Sequence, residues 1–550
     1  MSPAASPQIA PEVHSKPSEQ PSPSHGAGGT LAPLHHTIFL ALLATAFASN
    51  VGTWIQDVGA SWLMTSLAPS PVMVSLIQTA VNLPYFLLAL VAGALADIAD
   101  RRRLLIVAQF WMLASAGTLG VLSVFHLTTP WMLLGLSFSL GLGAALNGPG
   151  WQAIVPELVE RDEIREAVVL NSMQFNVARG IGPAIGGLIV SAWGSGVAFL
   201  ANAASFIGVI GVLMSWRRTP KKSMLPAERV AGAVRAGLRY VRFTPALRAV
   251  LLRSFLFAIG TSAMWAVLPL VARVELHLSA TGYGILVAFF GVGAGIGGFV
   301  LPMIRRALSI DLVAMSGGVL FAAVNATIAS THDVHVVWLA TMGAGLAWVA
   351  TTTTFNSAAQ MALPSWVRAR ALSMYLLVIQ GGLALGSVGW GFLASQIGIR
   401  GALDYSALFL ACCLTFVWRF SISDAEHFDP KPWVHWQMPV THEEIDPQRG
   451  PVAITTEFRI DPRRAAEFER AMQALATIRR RDGAMAWSIF VDIADPGRYL
   501  ETFVVESWGE HMRQHYRLTV SDSETELYVR SFHTGTEPPV VTHMLAPPMR

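Results

Sequence analysis

Two ionisable side chains lie well inside long apolar stretches of this sequence. Asp57 falls within residues 37–65 and Arg179 within residues 167–191. A charged group is costly in hydrocarbon, so such residues usually line a water-filled path or pair with an opposite charge. We expect Asp57 to be a substrate or proton site, and a position close to the outer surface is the alternative. If both helices start on the same side of the membrane, Asp57 would lie about 30 Å and Arg179 about 18 Å below that surface. This difference in depth does not favour an ion pair between them.

Further polar residues accompany Asp57 in the apolar stretches. Asn50, Trp54 and Asp57 recur at helical spacing, so they share one face that is suited to lining a cavity. Asn82 and Asn147 lie in the second and fourth stretches. Polar side chains of this kind also form hydrogen bonds between neighbouring helices, so both roles stay open for each of them.

The composition is typical of a membrane protein. Of 550 residues, 53% are hydrophobic and 13% are charged, compared with about 25% charged residues in soluble chains. The mean hydropathy is +0.49. The net charge of +3 gives no indication of nucleic-acid binding.

Neither a cofactor nor a metal is predicted. The only two cysteines, Cys412 and Cys413, are adjacent and offer no cysteine metal site. The glycines of residues 291–298 have the spacing of a dinucleotide-binding loop, but they follow no strand and lie inside an apolar stretch. Close helix packing explains them better.

The apolar stretches predict twelve membrane-spanning helices, since about 20 apolar residues cross a bilayer. The predicted spans are residues 37–65, 71–95, 104–126, 130–152, 167–191, 197–216, 248–271, 281–301, 311–330, 335–356, 371–395 and 402–420. Arginines cluster in every second connection, and Arg273 and Arg400 are the exceptions in the other connections. This alternation predicts that both termini lie in the cytoplasm.

The spans divide into two halves of six. We predict a disordered tail in residues 1–34, six-helix bundles in 35–216 and 248–421, and a linker in 217–247 that carries an amphipathic helix. The halves resemble each other around two glycine-rich spans, which predicts a substrate site at their interface near the bilayer midplane.

Residues 451–550 differ in character from the rest, and a second linker, residues 422–450, precedes them. They are charged and contain no stretch long enough to span a membrane. Their alternation of strand and helix patterns predicts a βαββαβ order. The fold class is therefore an all-α membrane protein with a small C-terminal α+β, ferredoxin-like domain.

The segment GALADIADRRR, residues 93–103, resembles the loop motif between the second and third spans of the major facilitator superfamily. Gly93, Asp97, Arg101 and Arg102 match that motif, whereas Asp100 stands where the family has glycine. The resemblance covers about residues 35–421. It implies that Asp97 and Arg101 form a conformational switch that holds one access state.

The segment ARGIGPAIGG, residues 178–187, resembles the signature of the exporting branch of the same superfamily. Gly182, Pro183, Gly186 and Gly187 match. Small residues let helices approach closely and a proline bends a helix, so this motif is a candidate pivot. Together with other segments, it makes the chain similar to transporters of the enterobactin-exporter type.

The segment ETFVVESWGEHMRQH, residues 501–515, resembles antibiotic-biosynthesis-monooxygenase-like domains, which are dimeric. Glu506, Trp508 and His515 match. His511 and His515 lie one helical turn apart, but no third metal ligand is evident from the sequence, so a packing role is favoured.

These observations predict a secondary exporter, and not an enzyme, in the inner (plasma) membrane of a bacterium. Its expected partners are the lipid bilayer and a lipophilic or siderophore-like small molecule, with protons as one candidate coupling ion and the C-terminal domain as a candidate dimerisation surface. Two alternatives stay open. The C-terminal domain is a membrane-tethered enzyme, or it is a ligand sensor that regulates transport.

Overall fold

A computed structural model describes residues 31–98, 100–216, 230–364, 366–415, 420–423, 428–433 and 445–547. Within these ranges, the side chains of residues 89–98, 153, 156, 161, 230–234, 236, 369 and 370 are not described. The predicted tail therefore lies almost wholly outside the described residues, as do parts of both predicted linkers.

Six helices form an N-terminal bundle. They are α1 (Thr37–Leu67), α2 (Pro71–Ile98), α3 (Arg101–Val124), α4 (Pro130–Ile154), α5 (Ile164–Trp193) and α6 (Ser195–Ser215). Local sequence explains several boundaries. The Thr129 hydroxyl accepts a hydrogen bond from the backbone N–H of Met132 at the start of α4. Gly194, whose φ of 84° favours glycine, separates α5 from α6.

A linker helix and a second bundle follow. The helices are α7 (Val230–Phe243), α8 (Pro245–Leu270), α9 (Ala280–Ala307), α10 (Ile310–Ser330), α11 (Val334–Met361) and α12 (Arg368–Cys413). We call α8–α12 the C-terminal bundle. Ser279, Ser309 and Asp333 cap the starts of α9, α10 and α11 with their side-chain oxygens.

Eleven helices in the described part of the chain are long and apolar enough to cross a membrane. The last of them, α12, has 46 residues and is broken at Gly398, where φ is 85°. A helix of that length extends about 69 Å, which is enough for two crossings of a hydrocarbon core about 30 Å thick. The structure thus has the helices of a multi-pass membrane protein, and the count of twelve spans stays a prediction.

The two bundles use glycine in corresponding places. Gly182 and Gly186 of α5 lie against α1, where an added Cβ would meet Trp54 and Ile55 within 3 Å. Gly382 and Gly386 of α12 lie against α8 in the same way. Each bundle therefore packs its fifth predicted span closely against its first.

The C-terminal domain is a four-stranded antiparallel sheet with helices on one face. Its elements are β1 (Val452–Arg459), α13 (Ala465–Asp482), β2 (Ala486–Val491), β3 (Arg498–Val505), α14 (Trp508–Arg517), α15 (Val520–Arg530) and β4 (Val540–Leu545). The strand order is β2-β3-β1-β4. Alternate residues of β1 and β3 are buried, so one face of the sheet packs on the helices around Phe468 and Met472. The predicted alternation of strands and helices is confirmed.

Candidate substrate path and its gates

Asp57 lies at the interface between the two bundles. Its carboxylate is within electrostatic range of the hydroxyl groups of Tyr85 on α2 and Tyr283 on α9. Tyr85 belongs to the N-terminal bundle and Tyr283 to the C-terminal bundle. A charge in this position is close to groups that separate when the bundles move apart.

Arg179 does not pair with Asp57. No ion pair within 4.0 Å joins these two described side chains. The guanidinium of Arg179 instead lies 5.1 Å from the ring centre of Phe175. Its buried Nε has no hydrogen-bond partner in the described residues, so Arg179 stays a candidate for contact with a ligand.

Asn50 connects helices through a short chain of amides. Its Nδ2 donates to Oε1 of Gln174 on α5 at 3.2 Å, and Nε2 of Gln174 donates to Oδ1 of Asn171 at 3.4 Å. The indole Nε1 of Trp151 on α4 also donates to Asn171, at 3.3 Å. Asn50 therefore acts as an interhelical contact. Trp54, on the same face of α1, packs against Gly182.

The other two asparagines make different kinds of contact. Nε2 of Gln380 on α12 donates to Oδ1 of Asn82 at 3.3 Å, so Asn82 joins the two bundles. Oδ1 of Asn147 accepts from Nε2 of Gln109 on α3 at 3.2 Å, which is a contact within the N-terminal bundle. Asn82 therefore lies at the interface between the bundles, whereas the hydrogen bond of Asn147 does not cross that interface.

The pivot motif brings α5 close to α9. A Cβ added to Gly284 of α9 would lie 2.5 Å from the carbonyl oxygen of Pro183 and 2.8 Å from Cα of Gly187. One heptad further along α9, Gly291 lies against the carbonyl of Arg179. Pro183 has no N–H, so this carbonyl lacks its usual helical partner. Gly291, Gly293 and Gly297 thus serve helix packing, as predicted, whereas a Cβ added to Gly295 or Gly298 would meet nothing within 4 Å.

The helices are joined at one end of the bundles by short connections, residues 68–70, 125–129, 194 and 276–279. We call this the short-loop end. There, Nη1 of Arg273 donates to the hydroxyls of Thr65, at 2.9 Å, and Ser66, both on α1. The guanidinium also lies 5.2 Å from the ring centre of Trp62, which stacks on Tyr283. These contacts close the interface between the bundles at the short-loop end.

Arg400, the other exception to the arginine pattern, holds the C-terminal bundle together. Its Nε donates to Oε2 of Glu275 at 2.8 Å, and its Nη1 donates to the carbonyl of Ala329 at 3.2 Å. Both exceptions in the sequence therefore have structural partners at the short-loop end.

The opposite end of the bundles, which we call the arginine-rich end, contains the dense charges of residues 100–103. Asp100 caps α3 by accepting from the backbone N–H of Arg102 at 2.9 Å. Nη1 of Arg101 donates to Oε1 of Glu157 at 2.7 Å. Arg102 donates to the carbonyls of Leu213 and Met214 at the end of α6, both at 2.7 Å, which satisfies acceptors that a helix end leaves unpaired.

The motif residues Gly93 and Asp97 lie in the last turns of α2, and their side chains are outside the described residues. The sequence did not reveal the partner of Arg101, because Glu157 is distant in the chain. It also gave no role to Asp100. The capping pattern of an aspartate directly before a helix start was a usable signal for that residue.

A second polar network was missed in the sequence. Arg253 of α8, which is buried, pairs with Asp311 at the start of α10. Asp311 also accepts from the Ser421 hydroxyl at 2.8 Å and from the Ser423 hydroxyl at 2.6 Å. The network ties the chain that follows α12 to the arginine-rich end of the C-terminal bundle.

The C-terminal domain docks on α7 and on the connection between α11 and α12. Arg239 of α7 donates to Oε1 of Glu510 at 3.0 Å and to the carbonyl of Arg481 at 3.2 Å. The guanidinium of Arg517 lies 4.5 Å from the ring centre of Trp366. Burial opposes ionisation of Glu510, but hydrogen bonds and charges from Arg517, Arg513 and Arg239 outweigh it and lower its pKa to about 2.

Tyr240 explains why α7 is held in place. Its side chain is fully buried, its hydroxyl donates to the carbonyl of Ala362 at 3.0 Å, and Arg481 stacks over its ring. Leu238 of the same helix is 61% exposed. The helix is confirmed, and its position on the membrane surface stays a prediction.

Three histidines meet in the C-terminal domain. Nε2 of His511 lies 3.2 Å from Nε2 of His515, and the rings of His511 and His543 are 4.8 Å apart. His543 comes from β4, which is why the sequence spacing did not indicate it. Burial and the neighbouring histidines lower the pKa of His511 to about 3. In the described part of the chain, no group of three or more metal-binding side chains is placed to hold an ion.

Comparisons with known proteins agree with this architecture. A staphyloferrin A transporter of Staphylococcus aureus is 23% identical over 380 residues, which cover 68% of this chain and 94% of that protein. A multidrug efflux pump of Mycolicibacterium fortuitum is 30% identical over 224 residues, but the match spans only 53% of the pump. An enterobactin exporter of Citrobacter koseri is 25% identical over 268 residues, which cover 48% of this chain and 62% of the exporter.

Solved structures show the same fold. A bacterial homologue of the human lysosomal transporter Spinster, in an inward-facing and unoccupied conformation, superposes with a TM-score of 0.56 at 15% identity and covers 72% of this chain and 98% of its own. The family described as transmembrane secretion effectors matches residues 28–549, nearly the whole chain. The chain therefore belongs to this family of the major facilitator superfamily, and it is a multi-pass membrane transporter.

Proposed function

We propose that this protein is a secondary exporter that moves a lipophilic or siderophore-like small molecule out of the cytoplasm by alternating access. The names of its relatives support this direction of transport, since they include an enterobactin exporter and a multidrug efflux pump. The substrate path lies between the two bundles, where Asp57 is located.

One observation carries the proposal most directly. The bundles are joined across α5 and α9 by backbone contacts at Gly284 and Gly291, without side chains in between. Such a contact separates and re-forms without repacking of long side chains. Arg273 adds a closure at the short-loop end. We therefore infer that the state described here is closed at the short-loop end.

Alternating access requires two bundles that move against each other, and the predicted topology of twelve spans in two six-helix repeats provides them. The bundles in residues 35–216 and 248–421 form two six-helix repeats, and α12 supplies the last two of twelve spans. The break at Gly398 and the matching glycines of α5 and α12 support this division. The arginine-rich end, with both termini, then faces the cytoplasm of a bacterial cell, and the protein resides in the inner membrane.

Asp57 is the proposed coupling site, with protons as the coupling ion. Asp57 is within electrostatic range of Tyr85 in one bundle and of Tyr283 in the other, which supports this role. Asp97 and Arg101 are the proposed conformational switch. The ion pair between Arg101 and Glu157 supports a role for this loop in linking helix ends.

The C-terminal domain is proposed to be ferredoxin-like and similar to antibiotic-biosynthesis-monooxygenase domains. The order β2-β3-β1-β4 supports the first part. We also propose that it dimerises through the sheet face that the helices leave uncovered. Phe490, Val540 and Met544 alternate onto that face and are more than half exposed, so a second copy would remove apolar surface from water.

The export proposal is tested in a bacterial strain without its own siderophore exporters. Cells that express the wild-type chain should retain less labelled enterobactin than cells that express Asp57→Asn at equal membrane abundance. The control is Asn147→Ala, which removes one hydrogen bond within a single bundle and should leave export largely intact. Asn147→Asp would not serve as a control, because it adds a charge. Equal retention in cells with the wild-type chain and in cells with an empty vector, across siderophore and drug substrates, would contradict the proposal.

A further inference from the structure

Arg179 lies on the side of α5 that faces the region between the two bundles. Gly182 and Gly186 mark the side of α5 that packs on α1, and Gly187 marks the side that packs on α9. In a helix of about 3.6 residues per turn, Arg179 points between these two sides. Helices α1 and α9 belong to different bundles, so Arg179 faces the same interface as Asp57.

Two further polar residues share this side of α5. Ser172, Asn176 and Arg179 are spaced by four and three residues, so they form a stripe along the helix. We call these three residues the α5 stripe. Ser172 and Asn176 are exposed. On the face of α9 that turns toward α5, a Cβ added to Gly295 or Gly298 would meet nothing within 4 Å. The α5 stripe therefore lines open space.

The charge of Arg179 is not neutralised within the described residues. Its buried Nε has no hydrogen-bond partner, and the ring of Phe175 beside its guanidinium carries no net charge. The other charged residues of α5 are Arg165 and Glu166 in its first turn. They lie about 20 Å away along the helix, which exceeds the Debye length of about 8 Å. An unpaired charge inside a membrane protein usually marks a functional site.

The α5 stripe offers hydrogen-bond donors as well as a charge. Nδ2 of Asn176 donates to the carbonyl of Ser172 at 3.0 Å, and the same amide nitrogen carries a second N–H for a ligand. The guanidinium of Arg179 presents parallel N–H groups, which match the two oxygens of a carboxylate. Arg179 is in the middle of α5 (Ile164–Trp193), about 22 Å from either end. The headgroups of membrane lipids do not reach this depth, so the ligand is a molecule in the transport path.

We propose that the transported molecule carries a carboxylate, which binds to Arg179 with Asn176 as a second donor. This inference rests on the proposed export function, because it assigns the charge of the exported substrate. The carboxylate and the coupling proton then bind to separate side chains, Arg179 and Asp57. The unpaired guanidinium repels organic cations, so the path selects against them at this point.

Fluorescein and rhodamine 123 are suitable probes, because they share a xanthene body and differ in charge. Fluorescein carries a carboxylate at neutral pH, whereas rhodamine 123 has a methyl ester in its place and is a cation. Fluorescence anisotropy of each dye with the full chain in micelles of an uncharged detergent measures binding, with empty micelles as the background. We expect one saturable fluorescein site per chain and at least about tenfold weaker binding of rhodamine 123. Arg179→Gln should weaken fluorescein binding at least about tenfold, since it removes a charged hydrogen bond.

Arg165→Gln is the matched control, because Arg165 is an exposed residue of the same helix and undergoes the same substitution. It should bind fluorescein as the wild-type chain does. The inference is overturned if fluorescein shows no saturable site, if rhodamine 123 binds equally well, or if Arg179→Gln and Arg165→Gln bind alike. The comparison of the two dyes needs no variant, so it remains decisive if Arg179→Gln does not fold. Because binding is measured without transport, a chain that binds fluorescein but does not lower the retention of labelled enterobactin would contradict export and leave the carboxylate site standing.

Discussion

The contact between Gly284 and α5 allows a quantitative prediction for Gly284→Ala. The added methyl carbon would lie 2.5 Å from the carbonyl oxygen of Pro183, and ordinary contact begins at 3.4 Å. The two bundles must therefore separate locally by about 0.9 Å, and overpacking of this kind costs about 1–3 kcal/mol. The cost applies only to the state that is closed at the short-loop end. The ratio of this state to the opposite one should fall by about 5-fold to about 150-fold.

The assay is the distance between two spin labels at the short-loop end, one on each bundle. Cysteines introduced at Leu127 and His332 suit this purpose, because both positions lie in exposed connections, and the native Cys412 and Cys413 are replaced by serine in every variant so that they take up no label. Gly284→Ala should raise the population of long distances. Gly295→Ala is the control on the same helix, since a Cβ added there meets nothing within 4 Å. An unchanged distance distribution in Gly284→Ala, or an equal change in both variants, would refute the reasoning.

Three further predictions concern the closure at the short-loop end, the dock and the histidines. Arg273→Gln should favour the long distances in the same assay, because two hydrogen bonds and a cation–π contact across the bundles are lost. Arg400→Gln is the control, because Arg400 lies at the same end but makes its contacts within one bundle, and it should not change the distances. Equal effects of the two substitutions would contradict this prediction. Arg239→Ala should speed hydrogen exchange of the backbone amides of residues 230–243 about tenfold, because it removes a charged hydrogen bond worth about 1.5 kcal/mol. Unchanged exchange would show that the contact with the C-terminal domain does not hold α7 in place. The unfolded chain takes up protons at His511 and His515 below about pH 6.5, whereas the folded domain, with pKa values of about 3 and about 4, does not. The domain should therefore have full stability above pH 6.5 and lose it as the pH falls toward 4; a calorimetric transition of the C-terminal domain that does not move between pH 7 and pH 5 would refute this.

Much of the fold could be predicted because its determinants are local. Apolar stretches of membrane length, proline and serine at helix starts, and the alternation in residues 451–550 each act within a few turns of chain. The predicted βαββαβ order ends in a strand, and the structure has that strand at Val540–Leu545. The break at Gly398 was also accessible to sequence, as a gap between two predicted spans, although the helix on either side continues almost without interruption.

The partners of charged residues could not be predicted because they come from distant parts of the chain. Glu157 meets Arg101, Asp311 meets Arg253, and His543 completes the histidine cluster. Side chains with opposite charge are present in many places, and sequence alone does not rank the pairs. For the close contact between α5 and α9, only the α5 side was recognised in the sequence, as the pivot motif. Its counterpart on α9, Gly284, was not recognised.

The direction of transport tests the central claim most directly. In inverted membrane vesicles, whose cytoplasmic face is exposed to the medium, an imposed proton gradient with an acidic lumen should drive uptake of labelled enterobactin or staphyloferrin A. The uptake should require Asp57 and should collapse when the gradient is dissipated. Substrate that enters right-side-out vesicles instead, or vesicles that take up nothing beyond those without the protein, would contradict an exporter that works by alternating access.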